Sequence, residues 1–169
     1  MSQIPGWLPE LLLADLASVA WREYEDAIYS VYDRHFLFGR PNLFGAPVRA
    51  KAGMIGGKNS GFWHLISSGA LPSTPEIERD CDLDRCARLA WPRAMIEAVD
   101  DSSKVNWWKN KREREIRTLI ALCDFSYKIV LVDRENGFTL WTAMINKPHQ
   151  AKTDEAEWTE FQKNDHRPV

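Results

Sequence analysis

The sequence predicts an α+β domain in which N-terminal helices precede a small, mainly antiparallel sheet of four to five strands. Three observations carry that expectation. Apolar residues recur at steps of three and four across residues 9–36, four strand-like runs follow residue 104, and an Asn-Gly pair joins the last two runs. The 169 residues suit one domain, and 44% apolar side chains with eight tryptophans supply enough surface for a core.

Taken in order, Leu12, Leu16, Ala20, Tyr24, Ile28 and Val31 form one helical stripe, so a helical extension over 1–36, as one long helix or two, is expected. The stripe fits packing on the chain's own sheet and dimerisation equally. Between residues 37 and 61, Gly39, Pro41, Gly45, Pro47, Gly53, Gly56, Gly57 and Gly61 break any period, which reads as loop with a short strand at 48–51. Residues 62–66 have the aromatic and branched content of a buried strand, with His64 on the face of Phe62 and Ile66. A second helix is expected over 83–99, capped by Asp82 and either kinked by Pro92 or restarted one turn later.

Residues 105–108, 116–122, 127–132 and 138–145 read as four strands in a meander, although the period of 116–122 also fits a helix. The Asn136-Gly137 pair makes the last two strands antiparallel neighbours. A tail helix over 153–163 packs Trp158 and Phe161. No linker, repeat or low-complexity stretch divides the chain, so 1–169 reads as one domain with its core at 48–146.

Composition narrows the function classes. Leu11-Leu12-Leu13 is flanked by Glu10 and Asp15, which leaves neither a signal-peptide core nor a spanning helix and points away from a membrane. Cys81, Cys86 and Cys123 form no CxxC pair, an odd number that fits reduced thiols in a cytoplasm. The histidines, His35, His64, His149 and His166, stand in no HxxxH or HExxH relation, so neither a metal ion nor another cofactor is expected. A net charge of −2 argues against a general nucleic-acid coat protein.

Several residues are candidates for chemistry. The stretch 56–61 is glycine-rich and offers Lys58 to a phosphate, but Ala52 and Asn59 break the Walker pattern, and a surface loop accounts for it as well. His64, inside an apolar run, is either a structural histidine or a proton-transfer group. Lys104, Lys109, Lys111, Arg112, Arg114 and Arg117 outweigh Glu113 and Glu115 by four charges, and with Trp107 and Trp108 they suit single-stranded RNA; a charged edge strand is the alternative. Arg85 and Arg88 share a helical face and could clamp a phosphate, or pair locally with Asp82 and Asp84. On the last strand, simple alternation places Thr142 with Phe138, Leu140 and Met144, as a strand-forming residue or as a donor to a phosphate.

In sequence order, Phe62-Trp63-His64-Leu65, Arg85-Cys86-x-Arg88-x-x-Trp91, Arg114-Glu115-x-Arg117, Tyr127-x-Ile129-Val130-Leu131 and Leu140-Trp141-Thr142-Ala143 resemble a phage-associated branch of the barnase/EndoU/colicin/RelE-like ribonuclease superfamily, over about residues 48–146. The resemblance implies a four-stranded antiparallel sheet with helices ahead of it and on one face, and metal-independent RNA cleavage by attack of the ribose 2′-hydroxyl on the adjacent phosphorus. It implies His64 as acid or base, Arg117 holding the phosphate and Thr142 orienting it, with Lys58, Arg85, Arg88, Trp108, Lys109 and Arg114 along the substrate. RNA would be the substrate of such a toxin or phage-related effector, and an antitoxin or immunity protein its partner. The second histidine of EndoU-like enzymes has no counterpart here, and Met144 stands where related sequences have tyrosine. The competing expectation is a noncatalytic protein-binding module of a phage or prophage system, with His64 among apolar side chains and the arginines in local ion pairs.

Overall fold

The computed structural model describes residues 4–15, 19–68 and 80–164 and has the expected α+β class. The N-terminal stripe becomes helical only at α1 (Trp21–Tyr32), which buries Tyr24, Ile28 and Tyr32 at a spacing of four and runs into a π-helical turn, Asp33–Phe38. Upstream, the described residues 4–15 dock without helix: the Leu12 amide donates to the Ala87 carbonyl and the Tyr24 hydroxyl to the Leu12 carbonyl. Those tertiary bonds take the groups a helix would have used. Leu16 of the expected stripe lies outside the described residues.

The glycine-rich stretch forms two small hairpins, β1 (Asn42–Leu43) with β2 (Ala46–Arg49), and β3 (Met54–Ile55) with β4 (Lys58–Asn59). The expected strand over 62–66 is instead helix α2 (Ser60–Ile66), started by the Asn59 side chain, whose oxygen accepts the Gly61 amide at 2.9 Å. Six of its seven residues are buried and only His64 is half-exposed, so the run shows neither helical nor strand periodicity. The second helix divides as expected into α3 (Leu83–Ala87), capped by Asp82, and α4 (Trp91–Glu97), with Pro92 in its first turn, where a missing amide costs nothing.

The meander is present as β5 (Val105–Arg112), β6 (Glu115–Leu122), β7 (Tyr127–Arg134) and β8 (Gly137–Ile145). The sheet is larger than expected, six strands in the order β1-β2-β8-β7-β6-β5, and it is mixed, because β2 pairs parallel with β8 through Val48↔Phe138 and Arg49↔Thr139. Strands of two and four residues in a Gly/Pro stretch are too short to show a period. Gly137 serves this junction: its φ is +123°, and a Cβ there would strike the Pro47 carbonyl.

Helices cover both faces. On one, Ile120, Ile129, Leu131, Leu140 and Ala143 join Tyr24, Ile28, Phe36, Phe62 and Ile96 in the main core. On the other, Trp108, Leu119, Ala121 and Val130 meet Trp158 and Phe161 of α5 (Pro148–Asn164), the expected tail helix, begun five residues earlier. A bulge between Val130 and Leu131 leaves Trp141 as the extra residue of β8. It reverses the alternation there: Leu140 and Ala143 both face the main core, whereas Thr142 pairs with Val130 and faces the α5 side.

His35, in the π-helical turn, has a buried Nδ1 with no hydrogen-bond partner. Burial first, then the Arg93 and Arg34 guanidiniums, hold its pKa below the usual histidine range, with Glu97 opposing. A depressed pKa means that the folded state binds the proton less readily than the unfolded chain. Stability is therefore expected to be complete above the ordinary histidine pKa and to fall as acid carries the pH through it toward the folded value. Urea titrations at stepped pH check this; an equally steep decline in His35→Gln would show that other groups cause it.

Candidate functional site

Arg117 on β6 and Thr142 on β8 do converge. Both line a cleft of about 250 Å³ on the α5 face of the sheet, with Asn110, Arg112, Lys128 and Asp154 around them. Asn110 stands directly across from Arg117 in the β5–β6 ladder. The Asn110 Nδ2 donates to Glu157 at 2.8 Å, which fixes the amide orientation and leaves its Oδ1 buried without a partner. Arg117 meets Glu115 at only 3.5 Å, and its Nε is likewise buried and unpaired.

His64 is not part of this cleft. It sits on α2, in the layer that packs on the opposite face, with its ring 5.4 Å from the Trp141 ring, over which Lys51 also lies at 5.2 Å. Because the bulge turns Thr142 away from that layer, the three residues assigned to catalysis are divided by the sheet.

Most of the proposed substrate contacts are engaged by the protein itself. Lys58 bridges Glu25 at 2.8 Å and Asp26 at 2.7 Å, and although burial disfavours its charge, hydrogen bonds to Asp26 and Glu25 hold its pKa above the usual lysine range. Arg85 pairs with Asp82 and donates to the Ser67 carbonyl, and Arg88 pairs with Asp84 at 3.0 Å while lying over Trp91. Trp108 is fully buried under α5 with its Nε1 donating to Glu157, so no stacking face is offered. Lys109 meets Asp133 at 2.6 Å. Arg114 is exposed in the β5–β6 turn.

Read along the chain, residues 104–117 look strongly cationic; in space they do not. Lys104 pairs with Asp101, Lys109 with Asp133, Arg112 with Glu157 and Arg117 with Glu115, so carboxylates from the turn before β5, from β6, from β7 and from α5 meet four of the six cations. Sequence reasoning missed Asn110, Asp154 and Glu157, and no local pattern marks them, because each acts on an element distant in the chain.

A second and larger cavity, about 520 Å³, opens at the other end of the sheet between Leu11, Arg88, Trp91, Leu122, Tyr127 and Ile145. Arg85 lines an adjoining hollow of about 430 Å³ with Asp82, Lys147 and Gln150. The Arg88–Trp91 spacing of three, noted in the sequence, is the one local signal for this region. No helix among the described residues is long and apolar enough to cross a membrane.

Fold and clefts together define an α+β protein with a mixed six-stranded sheet between helical layers. Comparison with protein-family models, with curated proteins and with solved structures found no match.

Proposed function

We propose that this chain is a noncatalytic protein-binding module. The observation that carries the reading is the division of His64 from Arg117 and Thr142 by the sheet. Cleavage by 2′-hydroxyl attack needs the acid or base within hydrogen-bond reach, about 3 Å, of the atom whose proton it moves. Layers packed on a sheet stand about 10 Å from it, so one phosphate cannot be served from both sides at once.

Two further features support the reading. Cations engaged by neighbouring carboxylates have little left for phosphate neutralisation, which supplies most nucleic-acid affinity. An aromatic cluster reaches the surface at the β1–β2 turn, where Phe44, 46% exposed, lies 4.7 Å from the Trp107 ring and 6.4 Å from that of Phe138. Aromatic side chains of this kind are enriched where proteins meet.

The test is to incubate folded protein and its His64→Ala variant with a mixed RNA pool in EDTA. The RNA is expected to remain intact with both. Fragments ending in 2′,3′-cyclic phosphate from the wild type, and none from the variant, would overturn the reading in favour of the ribonuclease.

A further inference from the structure

The larger cavity has the character of a small-molecule site. Its walls are mainly apolar: Trp91 and Tyr127, each only 3% exposed, meet edge to face at 5.1 Å, and Leu122, Leu11 and Ile145 complete them. At about 520 Å³ it falls within the range of pockets that enclose drug-sized ligands.

Two hydrogen-bond donors in its lining have N–H or O–H groups without an acceptor among the described residues. The Tyr127 hydroxyl makes no hydrogen bond to any described residue, and Tyr127 lines the cavity, so its O–H is available to a ligand there. Burial drives the phenol well above the usual tyrosine range, so it stays protonated and able to donate. Arg88 uses only its Nη1, which donates to the Asp84 carbonyl and carboxylate, and its remaining N–H groups have no acceptor among the described residues. A guanidinium has no acceptor of its own, so the ligand must bring an oxygen.

Charge narrows the class further. Asp84 and Asp124 also line the cavity, so its carboxylates outnumber the single Arg88 cation and a multiply charged anion would be repelled. One polar oxygen on a ring-sized apolar body meets all three conditions.

We propose that the cavity between Trp91, Leu122 and Tyr127 binds a small apolar molecule bearing one carbonyl or carboxylate oxygen, which accepts from Tyr127 and Arg88. The site is separate from the aromatic surface assigned to protein binding and does not depend on that reading.

Phenylacetate and phenylacetamide are suitable probes, followed by methyl NMR of the intact protein. Saturable shifts are expected at Leu11, Leu122 and Ile145, and the stronger of the two probes identifies the head group as acid or amide. Tyr127→Phe removes a hydroxyl that no described residue satisfies, so its melting temperature should match the wild type while probe affinity falls about two- to tenfold, the worth of one hydrogen bond. Ile145→Trp, at a position 41% exposed and therefore tolerant, should occlude the opening and abolish the shifts. Absence of saturable shifts with both probes, or unchanged affinity in a folded Tyr127→Phe protein, overturns the proposal.

Discussion

Asp154→Ala is expected to destabilise the fold by about 3 kcal/mol, the lower end of the cost of leaving a buried charge without its partner. Asp154 is 4% exposed on α5, and both its oxygens accept from the Lys128 ammonium at 2.8 Å. One of them also accepts from Asn146 Nδ2 at 2.7 Å, and that amide nitrogen reaches the Phe125 carbonyl as well. The cluster thus ties α5 to β7 and to the end of β8, and its Lys128 and Asp154 form part of the wall of the cleft that holds Arg117 and Thr142. Only 13% of the Lys128 side chain is exposed, so alanine at 154 leaves an ammonium that water solvates poorly. Urea unfolding measures the loss, and adding Lys128→Met should recover most of it, since the deleted charge no longer needs a partner. A loss below about 1 kcal/mol, the value of a surface pair, would mean that α5 is held by Trp158 and Phe161 alone.

The strands of the meander were legible where a run of branched and aromatic residues meets a clear turn; β5 was expected only over 105–108, because residues 109–112 carry no such run, yet it continues to Arg112. The Asn136-Gly137 hairpin is the plainest case, with Arg134 paired to Gly137 across it. α2 was not legible, because a seven-residue segment buried on nearly every side shows no period; what makes it helical is Asn59, one residue before it. β2 was legible only as a short strand placed two residues late, at 48–51, and β1 was hidden by its length; their place in the sheet is fixed by a parallel pairing of β2 to a strand some 90 residues later in the chain.

The site was less legible than the fold, for two physical reasons. Alternation along β8 assigns Thr142 to the face of Phe138 and Leu140, and a single extra residue, Trp141, reverses it; no composition rule announces a bulge there. Within residues 104–117 the only acids are Glu113 and Glu115, too few to balance six cations. Asp101 and Glu115 are near in the chain to Lys104 and Arg117, but two further partners are distant, Asp133 24 residues from Lys109 and Glu157 45 residues from Arg112. A sequence window reports local charge, whereas phosphate binding depends on the charge left after folding.

Asn59→Ala should cost about as much as Asp154→Ala, roughly 3 to 4 kcal/mol, at about 1 kcal/mol for each of four side-chain hydrogen bonds. Its Oδ1 accepts from the Tyr32 hydroxyl at 2.6 Å and from the Gly61 amide, and its Nδ2 donates to the Lys51 and Gly53 carbonyls. One 7%-exposed side chain therefore joins α1, the β3–β4 hairpin and the start of α2. Asn59→Asp should be no milder, since a second carboxylate oxygen would face two carbonyls in place of a donor. Tyr32→Phe isolates one bond of the set and is expected to cost about 1 kcal/mol, with the Asn59→Ala/Tyr32→Phe double variant losing less than the sum of the two. Strictly additive losses in urea unfolding would show that the two side chains act independently and that the position of α2, and of His64 on it, is set by the packing of Phe62 and Ile66 instead.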